Sequence, residues 1–265
     1  MRTHGIWMAL AATLAIMLGG CVVTPYEPGA PAVAEQANEP PPPLPVYDQP
    51  PCPEDGYVWT PGVWRFGPEG YYWVPGTWVA PPQVGFLWTP GYWGLVGGLY
   101  VFHAGYWGPH VGYYGGINYG HGYFGNGYSG ARWVGNRVQY NTVVTNVNTT
   151  IVRNVYHETV VNNFHEGEGT HASYVGAPGT RGQPNRNETM FARENHQTYT
   201  QPQLDHHAAA RGIPMQNAAR NQGHPPVAAT PRPGAFNGAG ATAAKPVGPA
   251  YHPQHAPGHE GHPEH

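Results

Sequence analysis

Four stretches of sequence share one pattern and decide the fold. They are Tyr57-Val58-Trp59-Thr60-Pro61-Gly62-Val63-Trp64, Tyr71-Tyr72-Trp73-Val74-Pro75-Gly76-Thr77-Trp78, Phe86-Leu87-Trp88-Thr89-Pro90-Gly91-Tyr92-Trp93 and Tyr100-Val101-Phe102-His103-Ala104-Gly105-Tyr106-Trp107. The pattern is aromatic-x-aromatic-x-Pro-Gly-x-Trp, and its final tryptophans are 14, 15 and 14 residues apart. The fourth copy is degenerate, with Phe102 for Trp and Ala104 for Pro. Four copies in register indicate an internal structural repeat.

Each copy predicts one β-strand, because aromatic residues and valine alternate as a half-buried strand requires. Turn residues at 66–70 and 95–98 separate the copies. We therefore expect a small antiparallel β-meander over residues 54–107, with three or four strands. Proline cannot donate to a ladder and glycine weakens one, so the Pro-Gly pair predicts a β-bulge within each strand. A bulge would return the two tryptophans of a copy to the same face.

The aromatic side chains of the repeat have two interpretations. As a core, they hold a small sheet together, since small repeats need their largest side chains to fold. As an open platform, they stack on sugar rings of an envelope glycan. We favour the core, with Trp59, Trp73 and Trp88 at equivalent positions of adjacent strands. The eight repeat positions are Trp59, Trp64, Trp73, Trp78, Trp88, Trp93, Phe102 and Trp107, and the opposite face carries Val58, Thr60, Val74 and Thr89.

The first 20 residues have the features of a signal peptide. A short positive start precedes a 13-residue apolar and small run over 6–18. A bilayer span needs about 20 apolar residues, whereas a signal-peptide core is shorter. Leu18-Gly19-Gly20-Cys21 resembles the bacterial lipobox, so Cys21 is the expected lipidation site; an ordinary cleaved signal is the alternative. By resemblance to enteric lipoproteins, Val22 after the cysteine favours an outer-membrane location.

Residues 21–53 are predicted to form a proline-rich tether. Pro40 to Pro43 is an uninterrupted proline run, and more prolines follow up to Pro53. Proline fixes φ and lacks an N–H, so this segment favours polyproline II and would act as a semi-rigid spacer. Cys52 lies among these prolines, and we expect it to be unpaired and exposed.

The repeat and the signal together resemble the YXWGXW-repeat (WXXGXW-repeat) family of bacterial lipoproteins, some of which are BcpO-related. Further stretches carry the same resemblance, namely 114–120, 130–133, 154–156 and 231–236. The resemblance implies a location in the cell envelope. It implies no reaction, because the family offers no catalytic motif to carry over.

Residues 108–165 change character twice. The Gly/Tyr stretch 108–130 is expected to be a loop folded over the sheet. Residues 132–163 are rich in Val, Thr and Asn, which favours strand. A helix stays open for residues 138–163, because Val143, Val147, Ile151 and Val155 lie four apart. The apolar edge of this segment favours self-association into a homo-oligomer.

Residues 166–265 are predicted to be mostly disordered, since Pro, Gly, Ala and Gln bury too little to offset ordering entropy. A short helix around 208–211 is the expected exception. The end of the chain is histidine-rich, which suits weak binding of Zn²⁺, Ni²⁺ or Cu²⁺; a neutral hydrophilic tail is the alternative. The histidines are His252, His255, His259, His262 and His265.

Composition excludes several functions. The chain has one lysine, Lys245, and a formal net charge of −3, so nothing indicates a nucleic-acid partner. Residues 54–164 hold only four acidic side chains, and the chain has no HExxH motif or serine elbow, so neither an enzyme nor a resident cofactor is expected. The sequence thus predicts a mainly β lipoprotein with disordered Pro/Gly-rich flanks, anchored to the membrane and doing structural or adhesive work.

Overall fold

The computed structural model describes residues 35–160 and 171–246, together with Tyr251 and Pro253, and all of these belong to one unit of the chain. The predicted signal peptide, the predicted lipidation site Cys21 and the five C-terminal histidines lie outside the described residues. Within the described part, no helix combines the length and apolarity needed to cross a membrane.

The fold is mainly β with small antiparallel sheets, which confirms the predicted fold class. The strands are β1 (Gln36–Ala37), β2 (Val58–Thr60), β3 (Val63–Gly67), β4 (Gly70–Val74), β5 (Gly76–Val79), β6 (Leu87–Thr89), β7 (Tyr92–Val96), β8 (Leu99–His103), β9 (Tyr106–Gly108), β10 (Asn118–Gly120), β11 (Tyr123–Phe124), β12 (Ala131–Val134), β13 (Arg137–Asn141), β14 (Val155–Tyr156), β15 (Tyr174–Val175) and β16 (Ala229–Thr230). The helices are α1 (Arg186–Phe191), α2 (Gln201–Gly212) and α3 (Ala218–Asn221), with a 3-10 turn at Pro214–Gln216.

The four sequence copies fold as two hairpins. In the first hairpin, residues 58–79, β2 pairs with β5 and β3 pairs with β4. In the second hairpin, residues 87–108, β6 pairs with β9 and β7 pairs with β8. Each predicted strand is therefore two short strands, divided at Pro-Gly or at its degenerate equivalent.

The predicted bulge is wrong. Thr60 pairs with Thr77 just before the division, and Val63 pairs with Val74 just after it, so no residue is inserted. Both strands are instead interrupted at the same level. These four side chains nevertheless line one small cavity. Because neighbouring residues of a strand point to opposite faces, the adjacent tryptophans all turn away from that cavity. Paired interruptions thus achieve the arrangement expected from a bulge.

The expected order of the tryptophans is also wrong. Since two copies pair antiparallel, Trp59 lies opposite Trp78 rather than beside Trp73. Among the described residues no ladder joins one hairpin to the other, and side chains connect them. The Tyr123 hydroxyl lies 3.1 Å from the carbonyl oxygen of Trp59 and 2.9 Å from that of Trp88. A tyrosine of the Gly/Tyr stretch therefore bridges equivalent positions of the two hairpins.

The predicted tether is wrong for residues 35–53, which pack on the hairpins. Strand β1 pairs with β8 of the second hairpin. Leu44 and Tyr47 are buried in the main core. Glu35 accepts hydrogen bonds from the Arg65 guanidinium at 3.0 and 3.1 Å. Composition did not predict this packing. Proline lacks an N–H donor but keeps its backbone carbonyl, and N–H groups of the hairpins donate to such carbonyls.

The predicted disorder is wrong for residues 171–246. Strand β15 adds to β7 and strand β16 adds to β5, both in parallel. Helix α2 packs against β4 and includes the segment around 208–211 where a helix was expected. This region buries few large apolar groups of its own. It is ordered because it adds small side chains and hydrogen bonds to a core that the repeat supplies.

The middle of the chain is only partly strand. Strands β12 and β13 form a hairpin, and β14 adds to β13 in parallel. Residues 142–154, where strand and helix were both considered, are mainly turns and irregular backbone. Val143 and Ile151 are exposed there. The Gly/Tyr stretch folds over the hairpins with Tyr114, Tyr119 and Tyr123 buried, and it contains the paired strands β10 and β11 as well as loop.

Candidate functional site

The eight aromatic residues of the repeat form cross-strand pairs in the core. The ring centroids are 5.4 Å apart for Trp59 and Trp78, and 5.1 Å for Trp64 and Trp73. In the second hairpin the distances are 5.2 and 5.3 Å. All eight side chains are buried. An open glycan platform built from them is therefore wrong, and so is the smooth free face opposite, since Val58, Thr60, Val74 and Thr89 are buried too.

The glycine of each motif admits a ring from the partner copy. A β-carbon on Gly76 would lie 2.6 Å from Cζ2 of Trp59 and 2.9 Å from the backbone nitrogen of Gly62. A β-carbon on Gly105 would lie 2.5 Å from Cζ2 of Trp88. Such contacts are too short for any other residue. The spacing Trp-x-x-Gly therefore reflects the packing of a tryptophan ring over glycine backbone. It does not mark a catalytic or binding site.

Backbone carbonyls outside the hairpins accept hydrogen bonds from three of the repeat's indole N–H groups. Trp64 donates to the carbonyl of Pro43 at 3.1 Å, and Trp78 donates to that of Pro50 at 2.8 Å. Trp73 donates to the carbonyl of Ala228 at 3.0 Å. A buried indole N–H needs a partner. The flanking segments thus supply acceptors that the repeat lacks.

Helix α2 fills the outer face of the first hairpin. His206 is 2% exposed, and its Nε2 lies 3.0 Å from the carbonyl oxygen of Pro75. The backbone N–H of Gly234 donates to Nδ1, so Nε2 carries the proton. Burial lowers the pKa of His206 to about 4. The cavity remaining under α2 is only about 20 Å³.

The same face of the second hairpin lines an open cleft of about 430 Å³. Every position of the second hairpin lies 29 residues after its equivalent in the first. In the cleft, Tyr92, His103, Ala104 and Tyr106 take the places of small or aliphatic residues. Those equivalents are Val63, Val74, Pro75 and Thr77. Tyr92 stacks on His103 with centroids 4.6 Å apart, and Tyr113 lies edge-on to Tyr92.

Helix α1 forms the other wall of this cleft and contributes Glu188. Glu188 is 3% exposed, and its Oε2 accepts from the backbone N–H of Asn185 at 2.8 Å. Its Oε1 is buried and has no hydrogen-bond partner among the described residues. Burial raises the pKa of the Glu188 carboxyl. A buried carboxylate oxygen without a partner is destabilised, so a donor that reaches it gains a favourable hydrogen bond.

Three of the hydroxyl groups around the cleft already bind backbone groups. Tyr113 donates to the carbonyl of Gly182 at 2.6 Å. Thr89 accepts from the backbone N–H of Gly112 at 2.9 Å, and Thr189 donates to the carbonyl of Asn185 at 2.9 Å. The cleft therefore offers a ligand aromatic rings, the His103 imidazole, the Tyr92 hydroxyl and one carboxylate.

The sequence missed Glu188 because it lies in the segment predicted to be disordered. A local signal was present: Asn185 and Glu188 form a capping box, in which the side chain of each accepts from the backbone N–H of the other. That pattern fixes a helix start and a buried acid three residues later.

Cys52 differs from its prediction. It is a free thiol, but it is buried rather than exposed, and its Sγ donates to the carbonyl of Glu54. Burial raises the pKa of Cys52 to about 11. A thiol in this state is a poor nucleophile. Among residues 35–160 and 171–246, no group of three His, Cys, Asp or Glu side chains is placed to hold a metal ion.

Comparison with protein families finds two copies of the WXXGXW repeat, at residues 55–79 and 84–107. Each match covers one hairpin and contains two of the sequence copies, so the chain is a repeat protein whose unit is a hairpin. Membership of the BcpO-related lipoproteins stays a prediction. No curated protein matches the chain, and no solved structure does.

Proposed function

We propose that this protein is a lipid-anchored structural or interaction protein of the cell envelope, located at the outer membrane, without catalytic activity. One observation carries the proposal: a lipobox-like sequence ending at Cys21 precedes a unit whose repeat aromatics are all committed to its own core. The repeat builds a scaffold rather than a reaction site.

The docking of residues 35–53 shortens the tether. Thirteen residues, 22–34, separate Cys21 from Glu35. A chain of that length spans at most about 45 Å when fully extended. The folded unit would stay near the membrane surface, which suits a protein that contacts the envelope layer next to its anchor.

The anchor is tested with two cysteine variants and membrane fractionation. Cys21→Ser should release the protein from membranes or leave it unprocessed, because the acylated side chain is lost. Cys52→Ser is the matched control and should stay membrane-bound, since Cys52 is buried in the folded unit. A mature, membrane-bound Cys21→Ser protein would contradict the proposal.

Self-association would occur through the middle segment. Strand β12 is the outer strand of its sheet, and Val134 at its end is 51% exposed. Ile151 nearby in sequence is 53% exposed. Strands β1 and β15 cover the edges of the β7–β8 pair, and β16 covers one edge of the β2–β5 pair. Strand β12 is an outer strand that also carries an exposed apolar side chain, which favours a second copy there.

Sedimentation of the full-length chain tests this, since residues 35–53 and 171–246 belong to the fold. Wild-type oligomers should form, and Val134→Lys should weaken them, so that the variant dissociates at a higher protein concentration. Val84→Lys, at a similarly exposed valine between the hairpins, should leave assembly unchanged. A wild-type monomer at high concentration would refute self-association.

Weak metal binding through the tail is a second candidate. Five histidines recur every three or four residues within the last 14 positions, a composition that suits Zn²⁺, Ni²⁺ or Cu²⁺. Calorimetry with Zn²⁺ should show binding by the full-length chain and none by a chain ending at Pro249. Equal binding by both chains would place the metal elsewhere.

A further inference from the structure

The two hairpins present the same surface in two chemical forms. Under α2, the first hairpin closes that surface with Thr60, Val63, Val74 and Thr77, and about 20 Å³ remains. Under α1, the second hairpin leaves about 430 Å³. Two tyrosines and a histidine replace aliphatic or small residues there. An aromatic surface that served only for packing would be covered, so an aromatic surface left open indicates a binding role.

The free recognition groups of the cleft are few and distinctive. Tyr92, Tyr106 and Tyr113 line it, with one face of Tyr92 stacked on His103 and one face of Tyr106 stacked on His196. Glu188 adds a buried carboxylate with one oxygen lacking a partner among the described residues. Aromatic rings around a cation provide electrostatic attraction from the ring quadrupoles. A carboxylate adds charge and an acceptor for N–H donors.

We propose that the cleft between the second hairpin and helix α1 binds an alkylammonium group, with the tyrosine rings around the cation and Glu188 accepting its N–H donors. The ammonium group belongs to a lysine side chain or to a free amine. At about 430 Å³ the cleft lies within the size range of small-ligand pockets. His103 stays neutral in this arrangement, because burial lowers its pKa.

A sugar fits the same cleft less well. Neutral polyols are held by several donors and acceptors at once, since each buried hydroxyl needs a partner. The hydroxyls of Tyr113, Thr89 and Thr189 already bind backbone groups. An ammonium group needs only the rings and one carboxylate, and the cleft supplies both.

Nuclear magnetic resonance titration of the full-length chain tests the proposal with butylammonium, and with its neutral counterpart butan-1-ol. Butylammonium should shift backbone signals of the second hairpin and α1 in a saturable manner, and butan-1-ol should not. A lysine-containing peptide and its acetylated form repeat the comparison for a protein source of the ammonium group.

Glu188→Gln is the decisive variant, because glutamine also completes a capping box and should preserve α1. Loss of a charged hydrogen bond should weaken butylammonium binding by about tenfold or more. Glu54→Gln, at an exposed carboxylate outside the cleft, is the control and should bind as the wild type does. Tyr106→Thr, which restores the first-hairpin residue, should also weaken binding.

Three results would overturn the proposal. Equal shifts with butan-1-ol would show that charge is not recognised. Unchanged affinity in Glu188→Gln, in a protein whose melting temperature is also unchanged, would remove the carboxylate from the site. Saturable binding of N-acetylglucosamine without binding of butylammonium would make the cleft a glycan site.

Discussion

The two hairpins share one backbone plan but differ in what covers them. Both have Pro-Gly or Ala-Gly interruptions at the same level, rings over the glycines and aromatic cross-strand pairs. The first is sealed by α2, whereas the second borders a cleft under α1. The motif residues therefore determine the hairpin, and the variable positions between them determine whether its outer face becomes core or surface.

The largest expected effect comes from the central aromatic pair position. Trp73→Ala should cost about 3–5 kcal/mol in unfolding free energy, as for other buried aromatic residues. Phe102→Ala, at the equivalent position, should fall at the lower end of that range, because Trp73 also donates a hydrogen bond to the Ala228 carbonyl. Urea unfolding of both variants measures the difference. An unchanged midpoint for Trp73→Ala would contradict the core role of the ring.

The glycines should respond alike in both hairpins. A β-carbon on Gly62 would lie 2.8 Å from the nitrogen of Gly76, and one on Gly91 would lie 2.9 Å from the nitrogen of Gly105. Gly62→Ala and Gly91→Ala should each cost about 1–3 kcal/mol, as overpacking does. Gly212→Ala, where a β-carbon meets nothing within 4 Å, is the control and should be neutral or slightly stabilising. A clear difference between the costs of Gly62→Ala and Gly91→Ala would show that the strands of one hairpin can move apart to accept the methyl group.

The stability that α2 adds by packing on the first hairpin should depend on pH. His206 has its pKa lowered by burial from 6.5 to about 4, so the unfolded chain binds more protons between those values. Stability should therefore fall as pH drops from about 6.5 to about 4, by up to about 1.4 kcal/mol per pH unit for this residue. Below pH 4 its contribution levels off. Burial likewise lowers the pKa of His121 to about 4, which adds to the slope.

Denaturant unfolding at several pH values measures that slope. His206→Gln should reduce the slope by the share of one histidine, because glutamine does not titrate. An unaltered slope in this variant would mean that the imidazole of His206 is not held neutral in the folded protein.

The smallest effect is expected at an exposed position of the cleft. His103→Val should change stability by no more than about 0.5 kcal/mol, as for other surface substitutions. The reciprocal change, Val74→His, places a polar ring under the seal of the first hairpin and should cost about 1–3 kcal/mol. Thermal melting of the pair compares the two environments directly. Equal costs would show that both faces are packed alike.

The sequence predicted the repeat and its strands because their signal is local. Trp-x-Pro-Gly-x-Trp with alternating apolar residues specifies strand and buried ring without reference to the rest of the chain, whereas its Pro-Gly break was wrongly expected to be a bulge. The pairing of copies into two hairpins was not predictable from the period, since copies spaced evenly by 14 or 15 residues fit a four-strand meander equally well. The pairing depends on which of the turns bring neighbouring copies together. The close backbone approach of Gly62 and Gly76 favours pairing of the first copy with the second.

The covering segments could not be predicted from composition. Residues 35–53 looked like a spacer because proline suits polyproline II, yet the carbonyls of Pro43 and Pro50 bind indole N–H groups. Residues 171–246 lack an apolar pattern because they pack onto a core that the aromatic residues of the repeat supply. Glu188 and the cleft therefore depended on distant contacts that no short motif reveals.

Hydrogen bonds between the two ends of the folded unit determine the order in which its parts can fold. The backbone N–H of Lys245 donates to the carbonyl of Val46 at 2.7 Å, and Thr242 donates to the carbonyl of Asp48 at 2.8 Å. The segment that binds indole groups is thus closed by residues almost two hundred positions later. Long-range closure of this kind slows folding. The hairpins can form early, but the native unit is completed only after the chain has emerged as far as Lys245.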